Sequence, residues 1–416
     1  IQRDIFIHKR GSNHFFKPEK RQRSTRKTFL LLDMRLQKTR LLWAICIVWM
    51  IWFLSFYPKY FNHKISLKID TNFALHCMNI SQLMKKESIS LDYNEKIEIK
   101  DEPMTKKLEA QKFRLIKKFL DHQGTGHAFG NIYEVPDVLV QKEECTLENI
   151  RCQLKNIKVN TLMEHPQFSA FQDKYGGRFP KWQPFINQSF NSCVVVPSSG
   201  SLRNSRLGPF IDEHEAVMRF NHAPVAGYEN DVGSFTTIRL INSLRLALIK
   251  DIDRLKLGGE KYFLYFDVPL YNQSQSQWLS NPRWSSMWKN YFALRNNYSN
   301  EEHHFLNSDF VWEQWRVMKK FAEQDLPKRV ATSGFIGLIY MMHICNYVDM
   351  VEYIPSFRET DYCYYFDSLR NEGCTFGDHH PRAIEKLLAL DMNIAEDKHV
   401  FQTGYIRIPG FHQDKC

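Results

Sequence analysis

The chain has 416 residues and a formal net charge of +10, from 56 lysines and arginines against 46 aspartates and glutamates. The charge lies at one end, because residues 1–40 hold 12 basic and 3 acidic side chains, which leaves residues 41–416 almost neutral. A nucleic-acid-binding domain needs a basic surface on its folded part. The distribution therefore argues against that class, with a basic nucleic-acid-binding arm as the alternative interpretation of residues 1–40.

An uncharged apolar segment, residues 41–57, follows the basic end directly. Its 17 residues are at the short end of the range that spans a bilayer, and a basic flank is typical of the cytoplasmic side. We predict a membrane-spanning signal anchor behind a cytoplasmic tail. A cleaved signal peptide competes with this interpretation, but no small-residue cleavage site follows. The first methionine is Met34, which leaves open whether residues 1–33 are translated.

Residues 58–140 are rich in Lys, Glu, Asp and Asn, which predicts a stem, with one helix near residues 104–120. From residue 141 to 416, strand and helix patterns alternate and aromatic residues become frequent, which predicts the folded domain. Eight of the nine cysteines follow the apolar segment and predict disulfides in an oxidising compartment. Glycosylation sequons on the same side begin at Asn79, Asn187, Asn272 and Asn297.

Short polar side chains follow three predicted strands. The first strand ends in the turn Pro197-Ser198-Ser199-Gly200, and the next two end at Asn221 and Asn242. In an open α/β sheet, ligands bind outside the carboxyl ends of the strands. Ser198, Asn221 and Asn242 are therefore predicted to reach one crevice, where hydroxyls and amides suit hydrogen bonding to a nucleotide.

The remaining elements predict a Rossmann-like α/β fold. Short apolar segments at 261–267 and 348–354 read as buried strands, and residues 311–322 have helical spacing. Alternating strands and helices indicate a mostly parallel, twisted sheet with helices on both faces.

A polar turn, Thr332-Ser333-Gly334, precedes an apolar helix-compatible segment that runs to Cys345. Thr332 or Ser333 is a natural N-cap, and the free N–H groups of a helix N-terminus attract anions. The turn is thus either a site for a phosphate or carboxylate, or a plain cap on a buried helix.

His380 is the candidate general base, because imidazole titrates near neutral pH and an attacking hydroxyl needs a proton acceptor. Pro381 begins a predicted helix that contains Glu385 and Lys386. Glu385 is expected to orient the loop rather than to react. Lys386 either adds positive charge near the nucleotide or lies on a solvated helix face.

We predict no metal site. Asp251-Ile-Asp253 matches the DxD metal motif, but it lies in a charge-rich helical segment with no strand before it. The adjacent histidines, His303-His304 and His379-His380, lack the spacing of zinc ligands. A cluster of tryptophans indicates a packed core in preference to a sugar-stacking wall; its members are Trp278, Trp284, Trp288, Trp312 and Trp315.

Four segments resemble, in the same order, the four sialyl motifs of animal sialyltransferases: residues 193–242, 332–345, 363–367 and 380–385. The chain is most similar to the β-galactoside α-2,6-sialyltransferases, both in the first motif, at Arg219-Phe220-Asn221, and near the C-terminus, at Pro409-Gly410-Phe411. The similarity covers Cys152 to Cys416, about two thirds of the chain.

The resemblance implies a glycosyltransferase-A-like variant of the fold and a type II Golgi membrane protein with a lumenal catalytic domain. It implies inverting transfer of sialic acid from CMP-sialic acid to the terminal galactose of N-acetyllactosamine-type glycans, in α-2,6 linkage, with no metal or other cofactor. His380 would take the proton of the acceptor hydroxyl, and the Tyr364 hydroxyl would donate toward the departing phosphate.

The resemblance also implies specific substrate contacts and disulfides. It pairs Cys193 with Cys345, Cys363 with Cys374, and Cys152 with Cys416. It leaves open how Cys77 and Cys145 pair and whether the protein forms a homodimer. The implied substrate-binding residues are Ser198, Asn221, Asn242, Thr332, Ser333, Gly334, Tyr364, Thr375, His379, His380 and Lys386.

Two departures from the family pattern concern the first turn and the acceptor side. Pro197-Ser198-Ser199-Gly200 stands where vertebrate members read Ser-Ser-Ala-Gly, and His379 stands where an aromatic residue precedes the catalytic histidine. An N-acetylgalactosamine-terminated acceptor or an α-2,3 linkage is therefore the alternative. An inactive sialoglycan-binding Golgi protein is a more remote one.

Overall fold

The computed structural model describes residues 103–121, 130–137, 146–162, 179, 188–250, 257, 259–322, 326–377 and 379–416. The chain divides into two compact units, Ile1–Asp70 and Thr71–Cys416, and every described residue belongs to the second. No helix in these ranges is long and apolar enough to cross a bilayer. Several predicted features lie outside the described residues: the tail and anchor, Asn79, Asn187, Cys77, Cys145, Asp251 and Asp253.

A seven-stranded sheet forms the centre of the second unit. Its spatial order is β5-β4-β3-β2-β1-β6-β7. Neighbouring strands are parallel except β6 and β7, which are antiparallel. The predicted mostly parallel α/β sheet is confirmed, and an antiparallel edge strand is added to it. The strands are β1 (Phe190–Val196), β2 (Ala216–Phe220), β3 (Ile238–Asn242), β4 (Tyr262–Phe266), β5 (Glu302–Phe305), β6 (Cys345–Val351) and β7 (Tyr405–Pro409).

Alternate residues of the strands face two different apolar layers, as the two-residue period of a strand requires. In β4, Tyr262 and Leu264 pack into the main core, whereas Phe263 and Tyr265 pack on the opposite face. Helices therefore cover both faces, as predicted. They are α1 (Met104–Asp121), α2 (Leu147–Lys155), α3 (Gly208–Asp212), α4 (Glu229–Val232), α5 (Ser243–Ala247), α6 (Gln275–Ser280), α7 (Ser286–Asn297), α8 (Asp309–Phe321), α9 (Ser333–Ile344) and α10 (Arg382–Asp391).

Helix α1 confirms the helix predicted near residues 104–120. Its buried residues are spaced along one helix face, and Leu115, Ile116 and Phe119 belong to the main core together with residues of α9 and α10. The sequence placed this helix in the stem, whereas its apolar face is packed into the folded unit. The domain limits given above stay predictions.

Three disulfides confirm the predicted pairs. Cys193–Cys345 joins β1 to the start of β6, Cys363–Cys374 closes a loop after β6, and Cys152–Cys416 joins α2 to the C-terminus. The core interpretation of the tryptophans is also confirmed, because four of the five are buried: Trp278, Trp288, Trp312 and Trp315.

Helix α9 lies so close to β2 that Gly337 has no room for a side chain. A Cβ atom there would lie 2.7 Å from both Met218 Sδ and Phe220 Cε1. Replacing a helical glycine by alanine normally stabilises a helix by about 1 kcal/mol, whereas overpacking costs about 1–3 kcal/mol. Gly337→Ala is therefore expected to lower the melting temperature by a few degrees in a calorimetric scan, and an unchanged or higher value would contradict this packing.

Candidate active site

A cavity of about 230 Å³ lies beside the carboxyl ends of β1 and β6. The strand order reverses between these two strands, because β1 continues to β2 on one side and pairs with β6 on the other. Ligands of open α/β sheets bind at this reversal. Nine of the eleven predicted site residues line the cavity: Ser198, Asn221, Thr332, Ser333, Gly334, Tyr364, Thr375, His380 and Lys386.

Asn242 and His379 are not among the lining residues. The Asn242 backbone N–H donates to Asn221 Oδ1 at 3.2 Å, and its side-chain amide donates to Ser333 Oγ at 3.4 Å. Asn242 therefore supports two lining residues from behind. His379 Nε2 lies 3.3 Å from Arg329 Nη1, and its ring meets that of His380 edge to face.

The turn after β1 packs directly against the loop that carries Tyr364. A Cβ atom on Gly200 would lie 2.1 Å from the Tyr362 carbonyl oxygen, so only glycine fits there. Ser199 caps the short helical turn that begins at Gly200. After β2, Asn221 adopts a left-handed φ of 51°, which asparagine tolerates better than most residues. Gly200 and Asn221 thus fix the shapes of the two turns, and both turns contribute to the cavity wall.

The N-terminus of α9 is capped as predicted and is tied to α10. Thr332 Oγ1 accepts from the Phe335 N–H at 3.2 Å. The Thr332 N–H and hydroxyl donate to the two Glu385 carboxylate oxygens at 2.8 and 2.5 Å, and the Tyr353 hydroxyl donates to Glu385 at 3.0 Å. Burial raises the pKa of Glu385, although the bonds from Thr332 oppose the shift. Its partners Thr332 and Tyr353 both line the cavity, so Glu385 ties two parts of the cavity wall together. Its orienting role stays a prediction.

His380 is held as a neutral imidazole with a defined tautomer. Its Nδ1 lies 2.9 Å from the Val330 carbonyl oxygen, which can only accept, so Nδ1 carries the hydrogen. Burial and the neighbouring Arg382 cation lower the pKa of His380 to about 3. At neutral pH the ring is therefore uncharged and Nε2 has a free electron pair, the state that a general base requires.

Lys386 is buried in the cavity wall, so the solvated-face interpretation of this residue is wrong. Its ammonium donates to the Tyr353 carbonyl oxygen and lies 4.2 Å from the centre of the Tyr353 ring. Burial lowers the pKa of Lys386 to about 7, against the attraction of Glu385. The side chain therefore gains or loses its charge in the physiological range, and a bound anion favours the charged form.

The polar residues at the cavity that were not predicted include Glu352, Tyr353 and Arg382, which line it, and Arg245, which contacts Tyr364. Arg245 Nη2 lies 3.4 Å from the Tyr364 hydroxyl oxygen, which accepts this bond and keeps its own hydrogen for another partner. Tyr353 follows β6 at its carboxyl end, so the strand-end rule offered a signal for it. Arg245 likewise lies three residues after the end of β3, but its contact with Tyr364 joins two segments that are far apart in the sequence.

No group of three or more His, Cys, Asp or Glu side chains within the described ranges is placed to hold a metal ion. Both ring nitrogens of His303 are occupied, because Nδ1 bonds to the Tyr265 hydroxyl at 2.8 Å and Nε2 to the Tyr298 carbonyl at 2.7 Å. The predicted glycosylation sites Asn272 and Asn297 are both exposed.

Comparisons with known proteins identify similar chains. A family model described as glycosyltransferase family 29 (sialyltransferase) matches residues 139–396, more than half of the chain. Human β-galactoside α-2,6-sialyltransferase 1 is 33% identical over 270 residues, which are 65% of this chain and 66% of that protein. Zebrafish (Danio rerio) β-galactoside α-2,6-sialyltransferase 2 is 34% identical over 280 residues, 66% of this chain and 54% of that protein.

The matched region thus spans between about half and two thirds of the length of these two relatives. Among solved structures, a mammalian sialyltransferase in complex with Gal-beta-1-3GalNAc-ortho-nitrophenol matches at a TM-score of 0.35 and 16% identity. That match covers 66% of this chain and 90% of the solved one.

The Glu385 carboxylate is expected to be required for stability through its buried donors. Glu385→Ala leaves the Thr332 and Tyr353 donors without an acceptor, and we expect a loss of about 2–4 kcal/mol in the free energy of unfolding. Glu385→Gln retains an acceptor, and its amide can donate to the hydroxyls, so the loss is expected to be much smaller. Urea denaturation measures both variants, and equal losses would contradict this role.

Proposed function

The chain belongs to glycosyltransferase family 29, the sialyltransferase family, and we propose that it transfers sialic acid from CMP-sialic acid to a terminal galactose. The β-galactoside acceptor and the α-2,6 linkage are those in the names of the human and zebrafish relatives. An N-acetyllactosamine-type glycan is the proposed form of this acceptor. The observation that carries the proposal is the neutral His380, with its tautomer set by Val330, in the same cavity as a helix N-terminus and a buried lysine.

Anion binding would occur at the N-terminus of α9. The N–H groups of Ser333 and Gly334 lie in the first turn of α9, where the helix dipole favours a phosphate. The N–H groups of Thr332 and Phe335 on either side are already bonded to Glu385 and to the Thr332 hydroxyl. Lys386 lines the same cavity and supplies a positive charge that an anion stabilises. Asn221 and Ser198, at the ends of β2 and β1, offer amide and hydroxyl groups to the nucleoside.

The transfer would be a single displacement. The acceptor hydroxyl oxygen attacks the anomeric carbon of sialic acid, and its proton passes to His380 Nε2. The bond from that carbon to the phosphate oxygen breaks, and CMP leaves with the electron pair. Tyr364, whose oxygen accepts from Arg245, would donate its hydroxyl hydrogen to the departing phosphate. Attack opposite the leaving group inverts the anomeric carbon, and no step calls on a metal or covalent enzyme intermediate.

The proposed setting is the Golgi membrane. Residues 41–57 would anchor the chain with its tail in the cytosol and residues 141–416 in the lumen, in the predicted type II orientation. The three disulfides among the described residues are consistent with an oxidising lumen.

Removal of the proposed base is the direct test. The full chain, purified in detergent from animal cells, is incubated with CMP-sialic acid and N-acetyllactosamine in EDTA. We expect sialylated product from the parent chain, and a fall of about 10²–10⁴-fold in kcat for His380→Ala. His412→Ala, at an exposed histidine, is the matched control and is expected to be unaffected.

The product linkage separates α-2,6 from α-2,3, and an N-acetylgalactosamine-terminated acceptor tests the alternative acceptor. Absence of product with both acceptors from a folded chain would refute the proposed transfer. Product that requires added metal would refute metal independence.

Binding of CMP is expected to be linked to protonation of Lys386. With a pKa of about 7, this lysine is mostly neutral in the free protein at pH 8, and the phosphate of CMP would favour its charged form. CMP is already fully ionised there, because the second pKa of a phosphate monoester is about 6. Titration calorimetry at pH 8 in buffers of different ionisation enthalpy should show uptake of up to one proton, lost in Lys386→Met. An equal uptake in that variant would contradict the assignment.

A further inference from the structure

Helix α1 contacts the segments that carry one side of the cavity. Gln111 Nε2 donates to the Ser356 carbonyl oxygen at 3.2 Å, just after the cavity residue Tyr353. Arg114 pairs with Glu359 in the same segment. These contacts join a helix that begins at Met104 to residues more than 240 positions later in the chain, directly beside the proposed donor site.

Lys118 extends this contact to the disulfide-closed loop. Its ammonium lies 2.8 Å from Glu359 and 2.9 Å from Glu372, and 4.7 Å from the centre of the Phe376 ring. Glu372 starts the turn that is followed by the cavity residue Thr375. Lys118 therefore holds the loop on both sides of Thr375.

Phe119 reaches both the loop and the buried lysine. Only 1% of its surface is exposed, and its ring centre lies 5.4 Å from that of Phe376. The Lys386 ammonium lies 5.8 Å from the Phe119 ring centre and 4.2 Å from that of Tyr353. An ammonium within about 6 Å of an aromatic face is attracted by the ring quadrupole. Both rings therefore favour this position of the charge, in addition to its hydrogen bond to the Tyr353 carbonyl oxygen.

We propose that α1 is a positioning element of the donor site, and that Phe119 positions the Lys386 ammonium and the Phe376 end of the loop. The proposal rests on the proposed function, because it assumes that the cavity binds CMP-sialic acid. It assigns to a segment predicted as stem a part in substrate binding. A form of the protein cut on the N-terminal side of Met104 would keep full donor affinity, whereas one that lacks α1 would not.

The test compares two substitutions on the same buried face of α1 in the full chain. Phe119→Leu keeps an apolar side chain and removes the ring. Leu108→Ala, three turns away, removes packing at the far end of the helix and is the matched control for lost stability. CMP is the probe, its dissociation constant is measured by calorimetry, and the melting temperature and the KM and kcat for CMP-sialic acid are measured on the same samples.

We expect Phe119→Leu to weaken CMP binding by about five- to tenfold and to raise the donor KM similarly, with a smaller change in kcat. Leu108→Ala should lower the melting temperature at least as much and leave CMP affinity unchanged. Lys118→Gln should weaken CMP binding relative to the parent chain. Lys118→Arg, which keeps the charge, should bind CMP as tightly as the parent does.

Three results are distinguishable. If the parent chain binds no CMP, the proposed function fails and this inference fails with it. If the parent binds CMP but Phe119→Leu binds it equally well, the inference alone is overturned. If CMP affinity falls in both α1 variants in proportion to their melting temperatures, α1 contributes only stability, which also overturns the inference.

Discussion

The buried carboxylate of Glu385 is the interaction on which the candidate site depends. It accepts hydrogen bonds from Thr332 at the start of α9 and from Tyr353 after β6, and it lies itself on α10. Three elements distant in sequence are thereby held around one cavity. Because burial makes the charged carboxylate costly, the three donors have to be present together. Lys386 follows Glu385 on α10, and the loop that bears His380 leads directly into this helix. The position of α10 therefore also sets the positions of Lys386 and His380.

The electrostatics of the cavity are arranged for an anion. His380 is neutral through burial and the nearby Arg382 cation, and Lys386 is poised between its two charge states. A bound phosphate would stabilise the positive forms of both, which makes Lys386 a stronger anchor and His380 a better proton acceptor. The free protein therefore avoids burying a full set of unpaired positive charges, and a bound anion would favour the charged forms. Burial is the main cause of the lowered pKa in both residues.

Most of the candidate site could be predicted from the sequence, because strand ends and helix caps have local signals. The Gly/Ser turn after β1, Asn221 after β2 and the Thr332 cap all occupy the expected positions. Two features of the site could not be predicted from local patterns, namely the burial of Lys386 and the contact of Arg245. Lys386 had two equal interpretations, since a lysine on a short amphipathic helix is buried or exposed according to what packs against it. Arg245 approaches Tyr364 across 119 residues of sequence, a contact that no spacing rule contains.

The parallel α/β class and the position of α1 as a helix could be predicted from the chain alone, because periodicity and capping residues are local properties. The family followed from the order of four motifs, and the cysteine pairs were implied by the resemblance to that family. Three features follow from packing and could not be predicted: α1 packs beside the cavity, β7 joins the sheet antiparallel to β6, and Glu385 faces Thr332 and Tyr353. These depend on burial between segments far apart in the chain. Burial also sets the charge of His380 and Lys386, and a residue type alone does not specify how much water surrounds it.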